Sequence, residues 1–401
     1  MVYTTGVSHN QTEQSKESIV SSRELSAEEL RFSTKIDRKF SSTRELTGAK
    51  EFFGQERALA ALELGLGISG SGYNIFVSGL TGAEKLETLR DWLAQRAAKA
   101  PTPGDWVYVH NFKHPDAPRA IFLQPGQGTR LRQMMQDLVK TLREELPKAF
   151  RQEAFDKEKS LLTEKYNARA QELNAQFAIL ARERGFQVQV GARGNIYFIP
   201  IVDGKPLQRP QDFANLSDAE RREVERRQQE LSVEMERITR KQQEIMREME
   251  EDIRTVERRF CENLLLPILN RMETALENDE VNVYLSEVRE HVLNNLDDFK
   301  EAPMTMMSFP FQPPPRERDP FLEYEVNVVV DNAKTAGAPI IVESAPTYLN
   351  MFGTIERVVD RFGRVVTNFT RIKSGSFLRA HGGYLIFSLE DAITEPAVGR
   401  F

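Results

Sequence analysis

The sequence predicts an α/β protein: a P-loop-type parallel-sheet domain interrupted by a long antiparallel coiled-coil arm with a β-hairpin tip. Three observations predict it. Short apolar runs flank a glycine-containing turn early in the chain, seven-residue apolar spacing fills the middle, and short apolar strands return after a proline-rich linker.

Residues 1–22 are polar, with few large apolar side chains, and are expected to form a disordered arm. "SAEEL" (Ser26 to Leu30) reads as a helix N-cap followed by acidic residues in the first turn. "GQERALAALELGLGI" has apolar residues at helical spacing from Ala58 through Leu62 to Leu66. "YNIFVSG" reads as a short buried strand ending at Gly79, "ETLRDWLAQRAA" as a helix, and "DWVYVHNF" (Asp105 to Phe112) as a second buried strand. Strand, glycine loop, helix and strand is how an α/β domain with a parallel sheet begins. Residues 23–130 are therefore assigned to the N-terminal segment and the first half of that domain.

Residues 131–300 have a different pattern. Tyr166, Leu173 and Leu180 form one seven-residue series, with Ala170 and Phe177 at the complementary positions. Val224, Leu231, Ile238 and Ile245 form another, with Met235 and Met249 beside it. Such spacing keeps one seam of each helix facing a partner, whereas a free solvated helix needs no seam. Between them, at about 185–207, "GFQVQVGARGNIYFIPIVDGKPL" alternates apolar and polar on both sides of a Gly-containing turn, which is a β-hairpin pattern. An arm helix of about 50 residues would extend roughly 75 Å. The linker is residues 301–320, containing "FPFQPPPRERDP". In 321–401 the α/β pattern resumes: "YEVNVVVDN", "APIIVES" and "GGYLIF" read as strands, and "YLNMFGTIER" as a glycine-containing loop.

Composition excludes several classes. The net charge of −6 carries no basic excess of the kind that points to nucleic acid. One cysteine, Cys261, excludes a disulfide framework and a Cys-based zinc site, which makes a reducing cytoplasm the simplest setting. No apolar run reaches the roughly 18 residues of a membrane span.

The stretch "GLTGAEKL" (Gly79 to Leu86) is close to the P-loop pattern G-x-x-x-x-G-K-[ST]. Gly79, Thr81, Gly82 and Lys85 are its candidate nucleotide-binding residues. Glu84 puts a carboxylate where backbone N–H groups must approach phosphate, and Leu86 replaces the hydroxyl that holds Mg²⁺. A second half-motif lies in "GGYLIFSLED", an apolar strand followed by acids. There Ser388 takes the metal-binding position and Glu390 and Asp391 arrive two residues late. Two independent losses argue against efficient ATP hydrolysis. Nucleotide binding without turnover and a ligand-free strand-to-helix turn both stay open. His110 and His114 read as a surface pair, not a metal site.

Four blocks together resemble Lon-type proteases of the LonB/LonC-like branch. They are "FGQERALAALELGLGISGSGYNIFVSGLTG", "DWVYVHNFKHPDAPRAIFLQPGQG", "VNVVVDN…APIIVESAPTYLNMFGTIER" and "TNFTRIKSGSFLRAHGGYLIF". The resemblance implies an AAA+-like domain interrupted by the coiled-coil insertion, a serine–lysine protease domain beyond it, ATP and Mg²⁺ as cofactors, and hexameric rings acting on unfolded or damaged proteins. It places Lys85 on the Walker A lysine and Ser388 on the Walker B aspartate. It also makes Met351 and Phe352 the candidate pore loop, against which stands an ordinary buried Met–Phe pair. The family continues past the position of Phe401, so no catalytic residue is expected in this chain and a truncated frame is the expectation. Three functions compete: the substrate-recruiting and threading portion of a Lon-like protease, a non-enzymatic adaptor or chaperone-like module using the arm, and an active NTPase whose loop tolerates Glu84.

Overall fold

The computed structural model describes residues 26–28, 30–31, 40–45, 55–68, 70, 72–79, 83–190, 196–202, 204–207, 216–300, 319–359, 363–395 and 398. The expected N-terminal arm 1–22, nearly all of the 301–320 linker, and Thr81 and Gly82 lie outside them. The chain divides into two units, residues 1–56 and 57–401. In the first, the described part of "SAEEL" is a single turn, closed by the Leu30 N–H on the Ser26 carbonyl at 3.1 Å.

In the second unit, strand β1 (Asp105–Val109) is central, with β2 (Arg119–Leu123) on one side and β3 (Val326–Val330) on the other, both antiparallel. This corrects the expected parallel arrangement of "DWVYVHNF". The loop 110–118 is too short for the crossover that a parallel pair requires. Asn111 folds that loop: its amide donates to the Ala117 carbonyl at 2.9 Å, and its carbonyl accepts from the Lys113 and His114 N–H groups. Helix α1 (Gln127–Glu144) covers the sheet with Leu131, Met135, Leu138 and Leu142, a stripe at three- and four-residue spacing. That stripe joins a core completed by Cys261, Leu265, Leu269, Met272 and Leu276 and by helix α2 (Asp279–Asn294). Asn278 caps α2 by accepting the Val281 N–H at 3.0 Å. Burial in this core pushes the Cys261 thiol up to about 12, so the single cysteine stays a neutral, packed thiol.

One buried carboxylate ties this layer together. Asp105 is fully buried, and its two oxygens accept the Gly128 N–H and the Asn332 N–H, each at 2.8 Å. It thereby pins the first turn of α1 and the end of β3 to the start of β1.

Tyr284 is the opposite case: its ring is fully buried and its hydroxyl has no hydrogen-bond partner among the described residues. Burial holds that hydroxyl protonated, well above the ordinary tyrosine range. Tyr284→Phe removes an unsatisfied polar group without changing shape, and is expected to stabilise the fold by about 1 kcal/mol. A urea titration checks this; a lowered midpoint would contradict it.

His291 carries a pH dependence. The Glu323 carboxylate, 3.4 Å from His291 Nε2, favours the ring proton on that nitrogen, and Nδ1 then accepts from the Tyr324 hydroxyl at 2.8 Å, which burial keeps protonated. Burial lowers the His291 pKa, against the pull of Glu323 and Asp298 in the other direction. The folded state then binds a proton less readily than the unfolded state. Its stabilisation is complete above the unfolded value of about 6.5 and is lost as pH falls through the lower folded value. Glu287 acts in a lower window: burial raises its pKa, but hydrogen bonds from Arg119 and Lys113 outweigh burial and lower it. Its contribution persists above the ordinary carboxylate value and disappears below it. Unfolding free energy is therefore expected to fall already between pH 7 and pH 5, and His291→Gln is expected to flatten that segment alone. Denaturant titrations at successive pH values read both.

The helical hairpin extends from this core. Helix α3 (Glu153–Glu183) and helix α4 (Asp218–Leu276) run antiparallel: Arg259 pairs with Glu158, Tyr166 donates to Asp252 at 2.7 Å, Arg169 meets Glu248 at 2.6 Å, and Gln242 donates to Asn174 at 2.6 Å. Partner numbers fall on one helix as they rise on the other. A capping box starts α4, with Ser217 accepting the Glu220 N–H and the Glu220 carboxylate accepting the Ser217 N–H. At the far end Phe177, Ala181, Leu231 and Ile238 pack with Phe186 of an antiparallel hairpin, β4 (Phe186–Val190) and β5 (Ile196–Val202), which a short β6 (Lys205–Pro206) extends. The predicted hairpin is there. At 59 residues α4 exceeds the expected arm helix, because its C-terminal third packs in the main core.

Candidate functional site

The candidate nucleotide loop lacks the strand expected before it. Residues 73–78 form no strand, and Tyr73, Ile75 and Phe76 are exposed, Phe76 at 72%. This overturns the buried-strand reading of "YNIFVSG". The composition is strand-like, but a strand exists only where a neighbour completes its hydrogen-bond ladder, and no strand among the described residues pairs with this segment. The segment is bracketed by two left-handed glycines, Gly72 at φ 88° and Gly79 at φ 81°. "GQERALAALELGLGI" does form a helix, α5 (Glu56–Gly67), with no fully buried residue. Lys85 lies in the first turn of a further helix, α6 (Ala83–Ala97), and its side chain is not among those described. The α6 stripe Leu89, Leu93 and Ala97 is buried, and the Ala97 carbonyl accepts the Ala338 N–H at 2.9 Å.

Ala338 leads into the parallel pair. Strand β7 (Ile340–Glu343) pairs with β8 (Tyr384–Phe387) in parallel, Phe387 opposite Glu343. This is the parallel element among the described strands. Ser388 follows β8 and caps a short helix, α7 (Leu389–Thr394), accepting the Asp391 N–H at 3.3 Å. Glu390 and Asp391 occupy the first turn of α7. The Walker B-like residues thus form a capped helix start. Ser388 is engaged by backbone, and Asp391 supplies the N–H it accepts.

Next to Ser388, at the C-terminal end of β7, sits a buried polar cluster that sequence reasoning missed. The Glu343 carboxylate accepts the Ser376 hydroxyl and the Ala345 N–H, the latter at 3.1 Å. Arg379 donates to Ser376 Oγ at 2.8 Å and lies 3.6 Å from Glu343. Ser376 is fully buried and Glu343 nearly so. The charge of Glu343 is thereby paired and hydrogen-bonded, as burial requires. Its sequence segment, "SGSFLRAHGG", lies within a block that carries the family resemblance, and no spacing in it marks a buried polar cluster.

Met351 and Phe352 end helix α8 (Tyr348–Phe352), capped by Thr347, where a loop was expected. The structure separates the pair: Met351 is 1% exposed and Phe352 41%. Strand β9 (Gly353–Ile355) follows and pairs antiparallel with β10 (Ile372–Ser374). Gly353 and Gly375 let the two strand ends touch. A Cβ on Gly353 would fall on the Lys373 carbonyl, and one on Gly375 would fall on the Met351 carbonyl. That approach sets α8 beside helix α9 (Ser376–Arg379), whose Phe377 ring stacks on Phe352 at 5.2 Å.

A separate groove of about 310 Å³ is lined by His110, Asp116, Asp319, Glu323 and Phe369 among others. His110 packs on Phe112, and among the described residues no group of three His, Cys, Asp or Glu is placed to hold a metal ion.

Tested on these residues, Mg²⁺-ATP does not fit well. Ser388 is engaged as a helix cap, Leu86 is a half-buried apolar side chain, and residues 73–78 form no strand ahead of the loop.

Residues 336–400, which carry β7, the aromatic pair and Ser388, match a family model described as a LonB-like AAA domain. Residues 105–138, which hold β1, β2 and most of α1, match one described as the Lon-like LonC helical domain. The segment that carries the site is thus similar to an AAA domain. The two matches together support a Lon-family protein. No curated protein matches it. Among the described residues no helix is long and apolar enough to cross a membrane.

Proposed function

We propose that this chain is the substrate-recruiting and threading portion of a Lon-like ATP-dependent protease, acting on unfolded or damaged polypeptide. The observation that carries the reading is Phe352, an exposed aromatic on a rigid turn within the segment that matches an AAA domain. In this reading "GLTGAEKL" is a P-loop by descent within an AAA+-like domain, and the helical hairpin is a coiled-coil insertion. The boundaries at 130, 300 and 320 separate that insertion and its linker from the two parts of the domain. Gly79, Thr81, Gly82 and Lys85 keep the loop's turn and charge, but hydrolysis is lost with the Mg²⁺ ligands. Assembly is a homo-oligomeric ring, in a cytoplasmic setting, and Phe352 rather than the buried Met351 touches substrate.

Two measurements test this. ATP titrated with and without Mg²⁺ is expected to show no Mg²⁺-dependent gain in affinity and no phosphate release; turnover at several per minute would overturn the lost-hydrolysis part. Binding of a permanently unfolded protein is expected to weaken about tenfold in Phe352→Ala; unchanged binding would overturn the threading part.

A second reading, an adaptor acting through the arm, draws on one feature. Tyr197 and Ile196 on β5 at the arm's tip are exposed. Tyr197→Ser would then weaken polypeptide binding and Phe352→Ala would not.

A further inference from the structure

Three aromatic rings form one exposed stack across two elements. Tyr348 lies on Phe352 at 4.9 Å with planes 39° apart, and Phe352 lies on Phe377 at 5.2 Å with planes 29° apart. Tyr348 and Phe377 stay 40% and 48% exposed. Leu349, also exposed, extends the apolar surface along α8. Phe377 is far from Phe352 in sequence, and nothing in its local pattern marks it.

The stack stands on a stiff base. The close approach of Gly353 and Gly375 fixes the backbones under both rings, and Ser376, adjacent to Phe377, is held by Glu343 and Arg379. The nearby charges are paired with each other: Arg379 with Glu343, and Lys373 with Glu356. What the stack presents is the partly exposed rings of Tyr348, Phe352 and Phe377. Such a surface takes a large apolar side chain from any sequence, and its rigidity spares the ordering cost that a mobile loop would pay on binding.

We infer that Phe377 is a substrate-binding residue, completing with Tyr348 and Phe352 an aromatic platform that selects aromatic and large aliphatic side chains of an extended, unfolded polypeptide. This rests on the threading reading above and deepens it. That reading needs Phe352 alone; the platform needs Phe377 as well.

The test uses the full 401-residue chain. The probe is fluorescein-labelled, reduced and carboxymethylated α-lactalbumin, read by fluorescence anisotropy. Two further fluorescein peptides are identical except that Phe and Trp in one become Ser in the other. Phe377→Ser is expected to weaken the unfolded protein about tenfold, as Phe352→Ala does, and to abolish the preference for the aromatic peptide. Phe377→Tyr keeps the ring and is expected to restore both. If Phe352→Ala weakens binding while Phe377→Ser leaves affinity and preference unchanged, the platform is overturned and the threading reading stands. If neither variant changes binding, the threading reading fails and the platform with it. Should Phe377→Ser abolish self-association in sedimentation with peptide binding unchanged, the stack is a contact between copies, and the inference is overturned. Phe377→Tyr failing to restore binding would also overturn it, since a lost ring would not be the cause.

Discussion

Asp105→Ala is expected to lower the unfolding free energy by about 3–5 kcal/mol, among the largest single-residue effects in the chain. The carboxylate is fully buried and accepts the Gly128 and Asn332 N–H groups. Removing it strands two buried donors from two different elements, each at the full cost of an unmade hydrogen bond. The Asn332 side chain adds to the junction by donating to the Gly104 carbonyl at 3.0 Å. Asp105→Asn keeps one acceptor oxygen and turns the other toward a donor as an NH₂, so about half of the loss is expected. A urea titration measures both variants. Equal stability of Asp105→Ala and the parent would show that the carboxylate does not join α1 and β3 to β1.

Gly353→Ala is expected to cost a similar amount, about 3–5 kcal/mol, for a different reason. Gly353 has φ 92° and ψ −178°, a region that only glycine occupies without strain. Its absent side chain also leaves room for the Lys373 carbonyl, so an added Cβ clashes with backbone rather than with a side chain that could rotate away. The damage should concentrate on α8, β9, β10 and α9. Amide hydrogen exchange is therefore expected to speed up across residues 348–377 while the main core stays protected. If protection is lost evenly over the whole chain, the glycine pair is not a local lock, and the stiffness ascribed to the aromatic stack has no basis.

Much of the fold was legible in the sequence where structure is local. The seven-residue apolar series marked the seams of α3 and α4, and Leu231, Ile238 and Phe177 are buried along them. The alternation around the hairpin turn marked β4 and β5, and the apolar runs at 326–330, 340–343 and 384–387 are strands. Each of these rests on a period that one helix or strand imposes on its own side chains.

The site was less legible. "YNIFVSG" has strand composition and no strand partner among the described residues, because pairing is decided by what lies beside a segment, not within it. "DWVYVHNF" is a strand as read, but its direction relative to β2 came from a loop too short to cross over. Met351 and Phe352 are adjacent in sequence and opposite in exposure, since the turn of α8 that buries one presents the other.

The sequence by itself determined that the chain is α/β and that two long helices with a β-hairpin between them divide it. It also carried the Lon-family resemblance that the two matched segments bear out. Only the tertiary structure decided that the leading sheet is antiparallel, that Asp105 joins three elements, and that Phe377 stacks on Phe352. The physical reason is range. Periodicity and motif spacing record forces between near neighbours in the chain, whereas ladder partners, buried hydrogen bonds and ring stacks join residues whose separation in sequence is set by the path of the backbone.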